Sequence, residues 1–133
     1  MANATIQIRT IFKAEVIDAY PQETLAEAAR RMRENEVSSL AVVQDDQLLG
    51  VLTERDLVQA LSDGADPRRT QVIDYMTLEP FATSPEESSG EVAMQMLEHG
   101  VRHVPVVVDG KVVGMVSARD LLMLEAMAAA GVR

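Results

Sequence analysis

The chain has 133 residues, no cysteine and a formal net charge of −9. These values exclude disulfides and thiolate chemistry and argue against general nucleic-acid binding, which needs a basic footprint to displace counterions. With 47% hydrophobic residues, two Phe, two Tyr, no Trp and eight Met, the core is aliphatic and adaptable, and no run reaches the eighteen or so apolar residues of a membrane span.

Residues 1–14 are weakly patterned; Ile6, Ile8 and Ile11 with Phe12 suit a short strand or a helical lead-in. The start lacks the basic and apolar regions of a signal peptide, so the sequence reads as cytoplasmic. A short strand is expected at Glu15, Val16 and Ile17, stopped by the turn signal of Asp18 and Pro21. Thr24 and Glu27 then form a capping box. Leu25, Ala28, Ala29 and Met32 follow at helical spacing, which buries one face. Residues 40–43 and 48–52 are aliphatic strands, with a hairpin turn at Asp45 and Asp46. A second helix starts after Thr53 and stops at Gly64, and residues 65–71, with Gly64 and Pro67 nearby, read as a short surface connection. Residues 72–77 mix apolar and polar positions and read as a short helix.

The second half then repeats the first at a constant offset. Pro21 maps to Pro85, Met32 to Met96, Gly50 to Gly114 and Asp56 to Asp120, and 14 of 38 positions are identical between residues 21–58 and 85–122. This is an internal duplication. The capping pair recurs as Ser88 and Glu91, and the hairpin recurs with Asp109-Gly110 between strands at 104–108 and 111–116. The last helix, residues 121–130, is apolar around much of its circumference and calls for a covering surface. Each half is thus a β-α-β-β-α unit whose sheet cannot be buried on both faces alone, so two units packed through their sheets, an α+β fold, are expected.

The most specific string is Gly50-Val51-Leu52-Thr53-Glu54-Arg55-Asp56-Leu57 and its echo Gly114-Met115-Val116-Ser117-Ala118-Arg119-Asp120-Leu121. Thr53 and Ser117 stand where a helix N-cap belongs, with Asp56 and Asp120 three residues on. Read plainly, these are caps worth roughly 1 kcal/mol each. The same geometry also offers a helix start to an anionic ligand, a carboxylate to a ribose diol and a hydroxyl to sugar or phosphate. The glycine permits close backbone approach, although a strand bulge accounts for it equally well.

With these residues in place, the duplicated string and the Val72-Ile73-Asp74-Tyr75-Met76-Thr77 lead-in resemble the tandem cystathionine-β-synthase (CBS) domain pair, or Bateman module. The repeats would span 8–64 and 72–128, joined by 65–71. The equivalent lead-in to the first repeat, residues 8–13, lacks the Asp and Met. The resemblance implies a regulatory module that binds AMP, ADP or ATP, or else S-adenosylmethionine or a cyclic dinucleotide, in clefts between the repeats. Asp56 and Asp120 would hold ribose hydroxyls; Thr53, Ser117, Arg102 and His103 would contact ribose or phosphate. Val37, Ser39, Val101 and Pro105 would border the adenine, Thr83 would add a polar contact, and Arg55 and Arg119 are lesser candidates. The resemblance further implies a homodimer, signalling through an effector protein, and neither catalysis nor a cofactor.

The two sites are expected to be unequal. Arg102 and His103 stand where the first repeat has Ser38 and Ser39, and a polyphosphate needs local positive charge in a chain of this acidity. His99 and His103 have the i, i+4 spacing of a metal pair, but Gly100 interrupts the helix that would align them. No nucleophile elbow, phosphate-cradling glycine loop or supported carboxylate pair is found. The alternative reading, from a different class, is a ligand-independent interaction or assembly module in which the caps are purely structural.

Overall fold

In a computed structural model, residues 7–8 and 16–131 are described. The elements in chain order are β1 (Asp18–Ala19), α1 (Leu25–Asn35), β2 (Ser39–Gln44), β3 (Gln47–Thr53), α2 (Glu54–Ser62), a 3-10 turn (Val72–Asp74), β4 (Thr77–Leu78), α3 (Ser89–His99), β5 (His103–Val108), β6 (Lys111–Ser117) and α4 (Ala118–Ala129). The architecture is mixed α+β, one β-α-β-β-α pattern used twice. Among the described residues no helix is long and apolar enough to cross a membrane.

The chain divides into two compact units. In the first, residues 16–80, the four strands lie in the order β1-β2-β3-β4. The β2–β3 hairpin turns at Asp45 and Asp46, whose φ values of 52° and 64° suit a primed turn that matches strand twist. Helix α1 starts with the expected reciprocal box: the Thr24 side chain accepts from the Glu27 amide, and the Glu27 carboxylate accepts from the Thr24 amide at 3.1 Å. Its apolar face, Leu25, Ala28 and Met32, joins Leu40, Val42 and Leu52 of the sheet in one aliphatic core. Arg31 anchors this helix to the start of the sheet, donating to the Asp18 carbonyl and to Glu23 Oε1, both at 2.8 Å.

Three sequence expectations need correction here. The first strand lies two residues beyond the expected 15–17, at Asp18–Ala19, because it is a parallel partner of β2 with Asp18 opposite Ala41; pairing, not local apolarity, sets its position. Residues 72–77 form only a single 3-10 turn, and the chain then extends into β4 along β3. Residues 65–71 are tied down at both ends of their run: the Leu25 amide donates to the Thr70 carbonyl and the Ala26 amide to the Pro67 carbonyl, each at 2.9 Å. These acceptors satisfy first-turn amides of α1 that its own helix cannot.

The second unit contains the β5–β6 hairpin, turned at Asp109 (φ 52°) and Gly110 (φ 81°), with α3 and α4. Ser88 caps α3 by accepting from the Glu91 amide at 3.2 Å. Val92 and Met96 pack with Val104, Val106, Val116 and Leu121. Thr83 takes the place of the short outer strand through a single parallel bridge to Val106.

Sequence repeat and packing unit are offset from one another. Val72 and Met76, at the head of the second repeat, are buried in the first core. Ile8, at the head of the first repeat, is fully buried in the second, and its amide donates to the Glu87 carbonyl at 2.8 Å. Ile6, Ile11 and Phe12 lie outside the described residues.

Candidate functional site

Both copies of the repeated string form the strand-to-helix junction their residues imply. Thr53 sits in extended backbone (φ −121°, ψ 168°) at the end of β3, and Ser117 does the same (φ −110°, ψ 160°) at the end of β6. The Thr53 amide donates to Asp56 Oδ2 at 2.8 Å, and the Asp56 amide returns to Thr53 Oγ1 at 3.4 Å. In the second copy the corresponding bonds are 2.9 Å and 3.1 Å, between Ser117 and Asp120. The Thr53 hydroxyl also donates to Asp56 Oδ2 at 3.2 Å. Each carboxylate therefore spends one oxygen, Oδ2, on its own cap, and leaves Oδ1 as the acceptor a ligand hydroxyl could use.

Burial raises the Asp56 carboxyl above the ordinary carboxylate value; the bonds from Thr53 and the charge of Arg55 oppose that rise without cancelling it. A half-buried carboxylate whose charge is incompletely solvated gains from an added donor.

The hairpin register brings the sequence candidates together within each unit. His103 pairs with Ser117 across β5–β6, and the Ala118 amide, first in α4, donates to the Arg102 carbonyl at 2.8 Å. Arg102, His103, Ser117 and Asp120 thus meet at one helix start. In the first unit Ser39 pairs with Thr53, and the Glu54 amide donates to the Ser38 carbonyl at 3.1 Å. The frame is the same and the cations are missing. Two first-turn amides of each helix are consumed by these local bonds, so a helix start has less to offer an anion than its position suggests, and side-chain charge decides.

Thr83 is the clearest asymmetry. Its backbone is satisfied by β5: the Thr83 amide donates to the Pro105 carbonyl at 2.9 Å, and its own carbonyl accepts from the Val107 amide at 2.8 Å. The residue is only 8% exposed, yet its Oγ1 is buried with no hydrogen-bond partner. A buried hydroxyl left so costs about 1–3 kcal/mol. It stands two strand spacings from Ser117 across the sheet, roughly 10 Å. The first-repeat counterpart is Ala19, which has no such group.

The remaining candidates are less engaged. Val37 and Val101 follow the C-terminal turns of α1 and α3 and lean on the two cores, and Pro105 is fully buried in β5. Ser39 is buried in β2. Arg55 and Arg119 are exposed at the second helical position. Gly50 serves packing rather than a ligand: a Cβ there would lie 2.5 Å from the Thr77 carbonyl oxygen, because β4 crosses it. Opposite Gly50 and Gly114 the partner strands are irregular, at Val42/Val43 and Val106/Val107. His99 ends α3 with its ring stacked on Phe81, centroids 5.1 Å apart, and the helix closes at Gly100 (φ 64°). Among the described residues no three His, Cys, Asp or Glu side chains gather as a metal site. The Glu23–Arg31 pair was not singled out by sequence; its signal was available in Arg31 standing where the second repeat has Gln95.

Comparison with known proteins adds the following. The family model described as CBS domain matches twice, over residues 8–63 and 72–126. The protein MK0525 of Methanopyrus kandleri is 32% identical over 124 residues, covering 91% of this chain, which spans 63% of that relative's length. Hypoxic response protein 1 of Mycobacterium tuberculosis is 35% identical over 115 residues, 85% of this chain and 80% of that protein. A solved structure of Hypoxic Response Protein I with two coordinated zinc ions superposes with a TM-score of 0.78. The CBS domain pair of protein MJ0100, solved with 5-methylthioadenosine and S-adenosyl-L-methionine, superposes with a TM-score of 0.87 at 25% identity, covering 93% of this chain and 98% of that one.

Proposed function

Because the chain belongs to the CBS-domain family, with repeats over 8–64 and 72–128 in tandem, we propose that it is a cytoplasmic sensor of adenine nucleotides that signals through a partner protein. CBS pairs are regulatory modules, and the reading contains no catalytic step. The observation that carries it is the cluster of Arg102, His103, Ser117 and Asp120 at the start of α4, with the unpartnered Thr83 hydroxyl in the same unit. Asp120 accepts from the ribose diol through Oδ1, Ser117 contacts ribose or phosphate, and Arg102 with His103 neutralises phosphate. Val101 and Pro105 border the base, with Arg119 in the outer shell. The corresponding first-repeat set, Val37, Ser39, Thr53, Arg55 and Asp56, forms a weaker site that suits an uncharged adenosine moiety. The binding of two adenosine compounds by the MJ0100 pair supports the ligand class, and Arg102 favours AMP, ADP or ATP within it. The module acts as a homodimer.

Calorimetry and thermal shift with AMP, ADP, ATP, S-adenosylmethionine and cyclic dinucleotides test the reading. A ligand at a hundred times its Kd stabilises the fold by about 2.7 kcal/mol. Asp120→Ala weakens binding roughly 10- to 100-fold, as loss of charge-assisted hydrogen bonds requires, and Arg102→Ala costs ATP more than adenosine. If no adenosine compound at millimolar concentration moves the melting temperature, the sensor reading fails. The ligand-independent assembly module then stands, which the exposed apolar residues of α4 favour.

A further inference from the structure

The internal duplication supplies a control for reading the outer helices, since each position on α3 and α4 has a counterpart on α1 and α2. On the second unit, Met94 and Leu97 of α3 and Leu122, Met123 and Met127 of α4 are exposed, from 42% at Met127 to 78% at Leu97. The first-repeat counterparts of Met94, Leu97, Met123 and Met127 are Arg30, Arg33, Gln59 and Asp63. There the surface is exposed and polar, and it is organised as such: Gln59 Nε2 donates to Asp63 Oδ1 at 3.0 Å, and the Tyr75 hydroxyl donates to Asp63 Oδ2 at 2.9 Å. One fold position thus carries a solvated polar network in one repeat and a methionine-rich apolar face in the other.

We infer that the α3–α4 face is a self-association surface, and that it pairs with the same face of a second copy rather than with the α1–α2 face. Charge decides between the two arrangements. A heterologous contact would set Met94 and Leu97 against Arg30 and Arg33 and strip water from two cations without supplying counter-charges. The like-to-like contact buries thioether and aliphatic groups alone. A two-fold interface must be complementary to itself, and unbranched methionines repack against their own symmetry mates. The alanines at 126, 128 and 129 let two α4 helices approach closely. With a net charge of −9 two copies repel, so the contact belongs where charge is sparse. This inference rests on the proposed homodimer and is independent of what the module binds.

Sedimentation velocity on the full chain without nucleotide is the first measurement. The combined variant Met94→Arg/Leu97→Arg, which writes the first-repeat residues into α3, weakens dimerisation roughly 100-fold or more, because each buried unpaired charge costs upward of 2 kcal/mol. Arg30→Met/Arg33→Leu leaves it unchanged. Since the chain has no cysteine, Leu97→Cys, Met123→Cys and Met127→Cys can each be treated singly with a short bismaleimide, which avoids the added charges. At least one cross-links to itself, and none cross-links to Asp63→Cys in a mixture. A monomeric wild-type chain at high concentration overturns the homodimer and the inference with it. A dimer that tolerates the arginine pair, or whose cross-links form only in the mixture or only through Asp63→Cys, overturns the like-to-like arrangement and leaves the homodimer standing.

Discussion

At the starts of α2 and α4 the backbone does the same thing twice: a strand ends in a hydroxyl residue, and an aspartate three residues on closes the cap with bonds of 2.8 Å and 2.9 Å. What differs is the neighbourhood. Around the first cap stand Ser38, Ser39 and Ala19; around the second stand Arg102, His103 and Thr83. A cap therefore stabilises its helix wherever it occurs, and the residues supplied by the adjoining strands decide whether it can also serve a ligand. The same division runs through the outer helices, where one repeat keeps charge and the other presents methionine. Duplication has left one frame with two specialisations.

The largest break in this comparison is expected at Gly50. A methyl group there meets the Thr77 carbonyl oxygen at 2.5 Å and Met76 Sδ at 3.0 Å, and the first of these is backbone. Gly50→Ala must displace β4, so it costs about 3 kcal/mol, read as a loss in denaturant midpoint at unchanged slope. Gly114→Ala sharpens the result. An equal loss shows that the second repeat is crossed by its own lead-in in the same way, and a small one shows that only the first repeat is.

The second break is at Arg31. Its hydrogen bond holds the Glu23 carboxyl below its ordinary value of 4.5, against the opposing effect of burial. A depressed carboxylate contributes stability that is present above the unfolded pKa and is lost as pH falls through the folded one. Arg31→Gln, which writes in the second-repeat residue, therefore costs about 1 kcal/mol at pH 7, and the difference from wild type closes as the pH drops below about 4.5. A pH-independent loss would mean that the bond to the Asp18 carbonyl, and not the ion pair, is what matters. In the second repeat Gln95 Oε1 is buried without a partner, so Gln95→Met stabilises by about 1 kcal/mol.

Much of this frame is legible in the chain. The capping boxes, the two hairpin turns and the helical spacing of Leu25, Ala28 and Met32 are local, and local signals survive folding. Periodicity says that Ile8, Val72 and Met76 are apolar, but not which core receives them; the exchange of lead-ins is a tertiary fact. The strand at Asp18–Ala19 escapes for the same reason, being two residues long and dependent on a partner more than twenty positions away. Of the site, the cap residues and the Arg102-His103 contrast are written in the duplication. The isolation of the Thr83 hydroxyl is not, because it arises from what surrounds that side chain after folding.

Smaller effects come from the helix ends. Glu36 closes α1 in the left-handed region (φ 54°), where the second repeat closes α3 with Gly100 (φ 64°). A side chain there costs roughly 1–2 kcal/mol, partly offset by glycine's extra freedom in the unfolded chain. Glu36→Gly is therefore expected to stabilise by about 1 kcal/mol and Gly100→Glu to destabilise by a similar amount, each a melting shift of about 4 °C. Opposite shifts confirm that the two ends are interchangeable; a loss in both would show that the Glu36 side chain has a role of its own.

The smallest effect, and the finest test of the two caps, is at Asp56. Burial raises its carboxyl above the ordinary value of 3.8, so the folded state binds this proton more tightly than the unfolded state does. The cost of the buried charge is then fully present above the folded pKa and disappears as pH falls toward the unfolded value, a slope opposite to that of Glu23. Asparagine retains an oxygen to accept the Thr53 amide and carries no charge at any pH. Asp56→Asn should consequently melt slightly higher than wild type at pH 7, by less than about 0.5 kcal/mol in free energy, with the gain fading in acid. A variant that melts lower at pH 7 would mean that the carboxylate's charge holds the start of α2 more firmly than burial opposes it. The first-repeat cap would then be structural in the strict sense, and the ligand-binding difference between the repeats would widen.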